Sequence, residues 1–89
     1  MLRITKVIDD GSRITLRLEG QLAADWVAEF ETECRVALAQ HARVRLDFTD
    51  VTFVDRRGAS ALERLACDKL DIVNCPGLIR ELLESRRPD

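Results

Sequence analysis

A chain of 89 residues, 46% hydrophobic and 34% charged, has the size and composition of one small globular domain. Its net charge of −2 argues against a general attraction to nucleic acid or to anionic lipid. No apolar run approaches the ~20 residues of a membrane span, and the N-terminus lacks a secretory signal pattern. We therefore expect a cytoplasmic protein with one domain over residues 1–85 and a frayed polar tail over residues 86–89.

The first two predicted elements are strands joined by a turn. Apolar and polar residues alternate over residues 2–7 and, more cleanly, over residues 13–19, as in strands that are buried on one face. The intervening Asp-Asp-Gly-Ser, residues 9–12, is typical of a hairpin turn. Gly20 is expected to end the second strand.

A helix is predicted over residues 25–40, where the apolar residues take up a helical period. The third strand follows, since Val44, Leu46 and Phe48 alternate with charged residues. A tight turn and a short extended stretch are expected to lead from this strand to Val54. Four aromatic residues are predicted to face inward or to flank the core: Trp26, Phe30, Phe48 and Phe53.

The remaining elements are a helix over residues 56–66, a short strand over residues 70–73 and a last helix after Asn-Cys-Pro-Gly, residues 74–77. The order is therefore β-β-α-β-α-β-α. Such an alternation predicts parallel crossovers after the hairpin, and the clean period of two indicates that helices cover one face of the sheet only. The expected fold is an α/β two-layer sandwich with a mixed four-stranded sheet and about three helices.

The most informative segment is Val-Thr-Phe-Val-Asp-Arg-Arg-Gly, residues 51–58. Asp55 stands where a side chain can cap the second helix by accepting the free N–H groups of Arg57 and Gly58. The segment resembles the STAS domain family, the sulphate-transporter and anti-sigma-factor-antagonist modules. Their hallmark is a valine, any residue, an aromatic residue or methionine, an apolar residue and then Asp-Ser-Ser-Gly. Both serines are arginine here.

This resemblance extends over most of the chain and implies a STAS-like fold and a non-catalytic, regulatory module that binds proteins. In similar domains the first serine after the aspartate is phosphorylated by a cognate anti-sigma kinase, and its state decides whether the two proteins bind. Arg56 has no hydroxyl at that position, so the same switch cannot operate. The implied contact surface consists of residues at the switch site: Asp55, Arg56, Arg57, Gly58 and Ser60.

The resemblance leaves two kinds of protein partner open. One is an anti-sigma or kinase-like regulator, and the other is the ATPase subunit of a bacterial lipid-transport ABC complex, in which a similar domain would be the small STAS subunit. Arg56 and Arg57 form either a basic surface for an acidic partner or anion, or two exposed and functionless side chains. Ser60, Thr49 and Thr52 remain as substitute phosphoacceptors.

Other classes of function have less support. The predicted open sheet face carries arginines but no aromatic residue on which a base could stack, so we expect no nucleic-acid partner. We interpret this face as solvated or as a surface for self-association, and a homodimer stays open. The arginines and the acids among them are Arg3, Arg13, Arg17, Arg43, Arg45, Glu19 and Asp47.

No catalytic constellation, glycine-rich phosphate loop or metal-ligand spacing occurs in the chain, so we expect neither an enzyme nor a cofactor. Three cysteines cannot all pair internally and none forms a C-x-x-C, so they are expected to pack as free thiols among apolar side chains. A divalent-metal site among Asp47, Asp50 and Asp55 is conceivable, but helix capping explains Asp55 without one.

Overall fold

A computed structural model describes residues 1–77 and 79–81 of the chain, without the side chains of residues 9 and 10. The elements are β1 (Leu2–Asp10), β2 (Arg13–Leu22), α1 (Trp26–Gln40), β3 (Arg43–Val54), α2 (Arg56–Leu65) and β4 (Leu70–Val73). A C-terminal helix begins at Gly77. The predicted tail over residues 86–89 lies outside the described residues.

The four strands form one sheet in the order β1-β2-β3-β4. β1 and β2 are antiparallel, whereas β2 pairs with β3 and β3 with β4 in parallel. The two parallel pairings each need a crossover, and α1 and α2 supply them. This arrangement confirms the predicted α/β fold with a mixed sheet, in which the helices cover one face and leave the other open.

The core lies between the sheet and the helices. Its largest members, Phe30 of α1 and Phe48 of β3, are both 0% exposed. Among the described residues no polar or charged residue is buried, which fits a core that excludes water without a polar network. The strand residues of this core alternate with open-face residues, as the sequence predicts: Ile14, Leu16, Leu18, Val44, Leu46 and Phe48.

The predicted turn inside the third strand is wrong, because β3 stays paired with β2 over its whole length. Two bulges bend it instead, one between the pairs Arg17–Asp47 and Glu19–Asp50 and one before Phe53. At the first bulge the Asp47 carboxylate accepts hydrogen bonds from the backbone N–H of Thr49 at 3.0 Å and from its hydroxyl at 2.6 Å. A local turn interaction thus bends the strand without ending it.

The second bulge decides the position of Phe53. It places Phe53 beside Gln21 on the open face and leaves Val54 buried against the helices. Phe53 is 51% exposed, so the expectation that it faces or flanks the core is wrong. An alternation counted from the buried Val51 would place Phe53 on the same, inward face, and the extra residue of the second bulge reverses this.

The strands of the hairpin are also longer than predicted. β1 continues to Asp10, and β2 passes Gly20 and ends at Leu22. Gly20 has a φ of 103°, and a Cβ there would collide with the carbonyl oxygen of Met1, which also accepts a hydrogen bond from the N–H of Gln21 at 3.0 Å. Gly20 is therefore required for a close approach between the strands and does not end β2.

Candidate interaction site

Asp55 joins α2 to the end of β2. One carboxylate oxygen, Oδ1, accepts a hydrogen bond from the N–H of Gly58 at 2.7 Å and so caps α2, as the sequence predicts. The other, Oδ2, accepts from the N–H of Ala24 at 2.9 Å. The backbone N–H of Asp55 in turn donates to the carbonyl of Leu22 at 3.2 Å. Asp55 therefore positions both the loop before α1 and the first turn of α2.

The hydrogen bond from Ala24 is the part of this arrangement that the sequence analysis missed. Ala24 has a φ of 53°, in the left-handed region that a residue with a Cβ adopts at a cost of ~1–2 kcal/mol. The two N–H groups, Ala24 first and Gly58 second, hold the pKa of Asp55 below its usual value of 3.8. The carboxylate is consequently charged, and its negative charge lies at the positive end of the α2 dipole.

Gly58 permits the close approach of α2 to the sheet. A Cβ at this position would collide with the carbonyl oxygen of Leu22 and would lie 3.0 Å from the side chains of Leu22 and Val54. Ala59 is 1% exposed and packs into the core as the next residue of the helix. The first turn of α2 thus rests directly on the ends of β2 and β3, which fixes the direction in which its exposed residues point.

The two arginines of the first turn face solvent. Arg56 and Arg57 are exposed, and neither belongs to an ion pair within the part of the chain that the structure describes. Ser60, one turn further on, is half-buried and has an interaction partner. The structure therefore places the five predicted site residues in the cap and the first two turns of α2, where Arg56 and Arg57 expose their guanidinium groups.

A groove of about 500 Å³ lies between the start of α1 and α2. Arg57 lines it together with Val27 and Ala28 of α1, so an arginine of the first turn of α2 borders an apolar surface. The remaining lining residues are Ala24, Asp25, Glu31 and Arg64. The sequence analysis did not predict this groove, because it depends on how the two helices lie side by side.

Glu31 connects the two helices across the groove. It accepts hydrogen bonds from Arg64 of α2 and from Arg35 of its own helix, both at 2.7 Å. These contacts, that with Arg64 first, lower the pKa of Glu31 from 4.5 to about 2. The contact between Glu31 and Arg35 can be predicted from the sequence, because residues four positions apart lie side by side on a helix. The contact with Arg64 joins two helices, and no local sequence pattern predicts it.

The three aspartates that the sequence placed near the end of the third strand do not form a metal site. Asp50 pairs with Arg17 at 3.2 Å, Asp47 binds Thr49, and Asp55 caps α2. Within residues 1–77 and 79–81 no group of three histidine, cysteine or acidic side chains could hold a metal ion.

The described helices also include none that is long and apolar enough to span a membrane.

The cysteines are free thiols in different surroundings. Cys34 is 0% exposed in the core, as expected for a thiol that packs as a small apolar side chain. Cys75 is partly buried. Cys67 is exposed, so for this residue the expectation of apolar packing is wrong. It lies just after α2 ends, where the chain turns away from the core toward β4.

A family model matches the chain, and solved structures share its fold. A family model described as "Mlab, STAS domain" matches residues 6–87. The anti-sigma factor antagonist SpoIIAA in its unphosphorylated form superposes with a TM-score of 0.75 at 16% identity, over 93% of this chain and 79% of SpoIIAA. The STAS domain of an antisigma-factor antagonist from Rhodobacter sphaeroides gives 0.61 at 24% identity, over 82% of this chain and 86% of that domain. Curated protein sequences give no significant match.

Proposed function

The chain belongs to the STAS domain family, and from this we propose that it is a non-catalytic regulatory module that binds a protein partner through the first turn of α2. The proposed contact surface consists of Asp55, Arg56, Arg57, Gly58 and Ser60. The partner is an anti-sigma or kinase-like regulator whose docking surface is acidic, since the outermost groups of the turn are two guanidinium groups.

One observation carries this proposal. Arg56 and Arg57 occupy the start of a helix, where the dipole makes cations unfavourable by ~0.3–1 kcal/mol each before screening. Neither belongs to an ion pair among the described residues, and Asp55 offsets only part of the unfavourable charge. Folding therefore supplies no reason for two adjacent arginines here, whereas binding to an acidic surface does.

The rigid support of the turn also favours a binding role. Asp55, Gly58 and Ala59 fix the backbone through a cap, a close approach and core packing, so the two arginines project from a preorganised segment. A preorganised surface loses less conformational entropy on binding than a mobile loop. Since Arg56 has no hydroxyl to accept a phosphate as a serine does, we propose that the surface is constitutively competent and that regulation lies with the partner.

The test is affinity capture from the native cell with the wild-type chain and with a variant that carries Arg56→Glu and Arg57→Glu. We expect a kinase-like or ATPase partner to bind the wild type and to be lost by the variant, because the reversed charges repel an acidic surface. Lys69→Glu, an exposed cation in the turn before β4, is the control and should retain the partner. Equal recovery of the partner by all three proteins would contradict the proposed surface.

The second candidate is the small STAS subunit of a bacterial lipid-transport ABC complex. The match to a family model described as "Mlab, STAS domain" favours it, and the same turn of α2 would serve as its contact surface. Identification of the captured partner separates the two candidates, since an ABC ATPase subunit supports the second and an anti-sigma kinase the first. Capture of neither class would contradict both.

A further inference from the structure

The open face of the sheet is arranged in five rows of residues that lie side by side on neighbouring strands. Cross-strand pairing sets these rows, because paired residues of adjacent strands project to the same face. In order along β2 the rows on β2 and β3 are Arg13–Arg43, Thr15–Arg45, Arg17–Asp47, Glu19–Asp50 and Gln21–Phe53. The third row, Arg17–Asp47, is the centre of the face.

Charge is distributed unevenly along these rows. The first two rows carry three arginines, with Asp10 of β1 paired to Arg13 and Asp71 of β4 paired to Arg45. The fourth row carries two acids, Glu19 and Asp50, with Arg3 of β1 beside Glu19. One end of the open face therefore carries more cations than anions and the other more anions than cations, with a cation and an anion side by side at the centre.

The arginines of this face differ in whether their charges are paired within the part of the chain that the structure describes. Arg43 pairs with Asp71 at 3.4 Å and Arg17 with Asp50 at 3.2 Å. Arg45 has no ion pair among the described residues, although it is half-buried between neighbouring strands. Phe53, at the opposite end, is the large apolar side chain that this face exposes most among the described residues.

Two copies of this face that are related by a two-fold rotation can bring arginines of one copy against Asp50 and Phe53 of the other. If a second copy lies face to face with the first, with its strands antiparallel, an axis over the central row exchanges row one with row five and row two with row four. Arg45 then lies opposite Asp50 of the second copy, and Arg43 opposite its Phe53. On the axis itself Arg17 lies opposite Arg17 of the second copy and Asp47 opposite its Asp47, so the opposite charges of the central row meet diagonally, Arg17 of one copy with Asp47 of the other. Each contact between unlike residues occurs twice, as a two-fold interface requires.

We propose that two copies of this chain associate through their open sheet faces, with Arg45 of each copy paired to Asp50 of the other. The interface is polar, so charge complementarity sets its register, and the stacking of Arg43 on Phe53 contributes a cation–π contact. The helices remain on the outer sides of the dimer. The first turn of α2 is then free to bind a different partner, and the proposal does not depend on the proposed function.

The affinity of such a dimer depends on the salt concentration. The Debye length, the distance over which exposed charges still interact, is ~30 Å at about 0.01 M and ~3 Å at about 1 M ionic strength. Sedimentation velocity of the full chain should show a dimer at the lower ionic strength and a shift toward monomer at the higher. A monomer at the lower ionic strength and at the highest soluble concentration would overturn the proposal.

Two charge reversals test the register. Arg45→Asp alone and Asp50→Arg alone each place like charges at both copies of the contact, so each should raise the dimer Kd by about 100-fold or more. An equimolar mixture of the two variants restores opposite charges at both contacts and should form one-to-one dimers. A single chain carrying both substitutions should dimerise like the wild type. Persistence of the dimer in both single variants, or failure of the mixture to associate, would overturn the proposal.

Three further variants complete the test. Phe53→Ser should weaken the dimer because it removes the apolar side of the contact with Arg43. Glu29→Lys, a charge reversal on the exposed side of α1, should leave the dimer Kd unchanged. If a charge reversal prevents folding, as circular dichroism would show, Arg45→Gln replaces it, and an unchanged dimer Kd in that variant would count against the contact.

Discussion

The carboxylate of Asp55 accepts the N–H of Ala24, which lies 31 positions earlier in the chain, at 2.9 Å, and also caps α2 through Gly58. One side chain thus ties the entrance of α1 to the entrance of α2. It also stabilises Ala24 in the left-handed conformation that the loop requires. The geometry of the candidate interaction site therefore depends on Asp55, whose carboxylate binds the backbone at both places.

Replacement of Asp55 by alanine should lower the free energy of unfolding by ~1–2 kcal/mol, because it removes the cap of α2 and leaves the N–H of Ala24 without its acceptor. Urea unfolding followed by circular dichroism measures this change. Asp25→Ala is the matched control, since Asp25 occupies the cap position of α1 but makes no capping hydrogen bond. Its effect should stay within ~0.5 kcal/mol. Equal losses in the two variants would contradict the role of Asp55.

Replacement of Gly58 by alanine should destabilise the fold by ~1–3 kcal/mol, since the added Cβ meets the backbone oxygen of Leu22 and must displace α2 from the sheet. Gly77→Ala is the control, because a Cβ there has no neighbour within 4 Å. That substitution should be neutral or should stabilise by up to ~1 kcal/mol. Thermal unfolding of both variants provides the comparison, and a stabilised Gly58→Ala variant would show that the close approach is not required.

Stability should fall as the pH is lowered through the range from about 4.5 to about 2, because the pKa of Glu31 is 4.5 ordinarily and about 2 in the fold. A carboxylate whose pKa is lowered by folding stabilises the native state fully above its unfolded pKa and loses that contribution as it is protonated. The lowered pKa values of Asp55, bound by Ala24 and Gly58, and of Asp47, bound by Thr49, act in the same direction.

The contribution of Glu31 can be isolated by Glu31→Gln, which should make the urea midpoint depend less steeply on pH between neutral pH and about pH 2. Glu29→Gln is the control, since Glu29 is exposed on the same helix and belongs to no ion pair among the described residues. The control should keep the slope of the wild type. A Glu31→Gln variant with the full slope would show that the contacts with Arg64 and Arg35 do not stabilise the fold.

The three thiols should differ in their reactivity toward an alkylating reagent. Burial raises the pKa of Cys34 to about 12 and raises that of Cys75 as well, whereas Cys67 is exposed. Because the thiolate is the reactive form, native protein should be labelled first at Cys67 and at Cys34 only after unfolding. Mass spectrometry of timed samples measures the order, and Cys67→Ser should abolish the fast phase. Early labelling of Cys34 in native protein would contradict the packing of α1.

The amino-acid sequence by itself determined the order of elements, the one-sided sandwich and the cap of α2. These features depend on local patterns: the alternation along residues 13–19, the helical period along residues 25–40, and the spacing of Asp55 from Gly58. Each involves neighbours within a few positions, and burial of one strand face enforces the pattern in the folded chain. The family resemblance, which the match over residues 6–87 confirms, depends on the same local segment.

Only the tertiary structure decided the exposure of Phe53, the hydrogen bond from Ala24 to Asp55 and the pairing of Glu31 with Arg64. Phe53 faces outward because the second bulge inserts one extra residue between Val51 and Phe53, which reverses the alternation that starts at the buried Val51. The other two contacts join residues that lie 31 and 33 positions apart. Such contacts depend on where the packed helices meet, and this geometry follows from the whole core rather than from any segment of the chain.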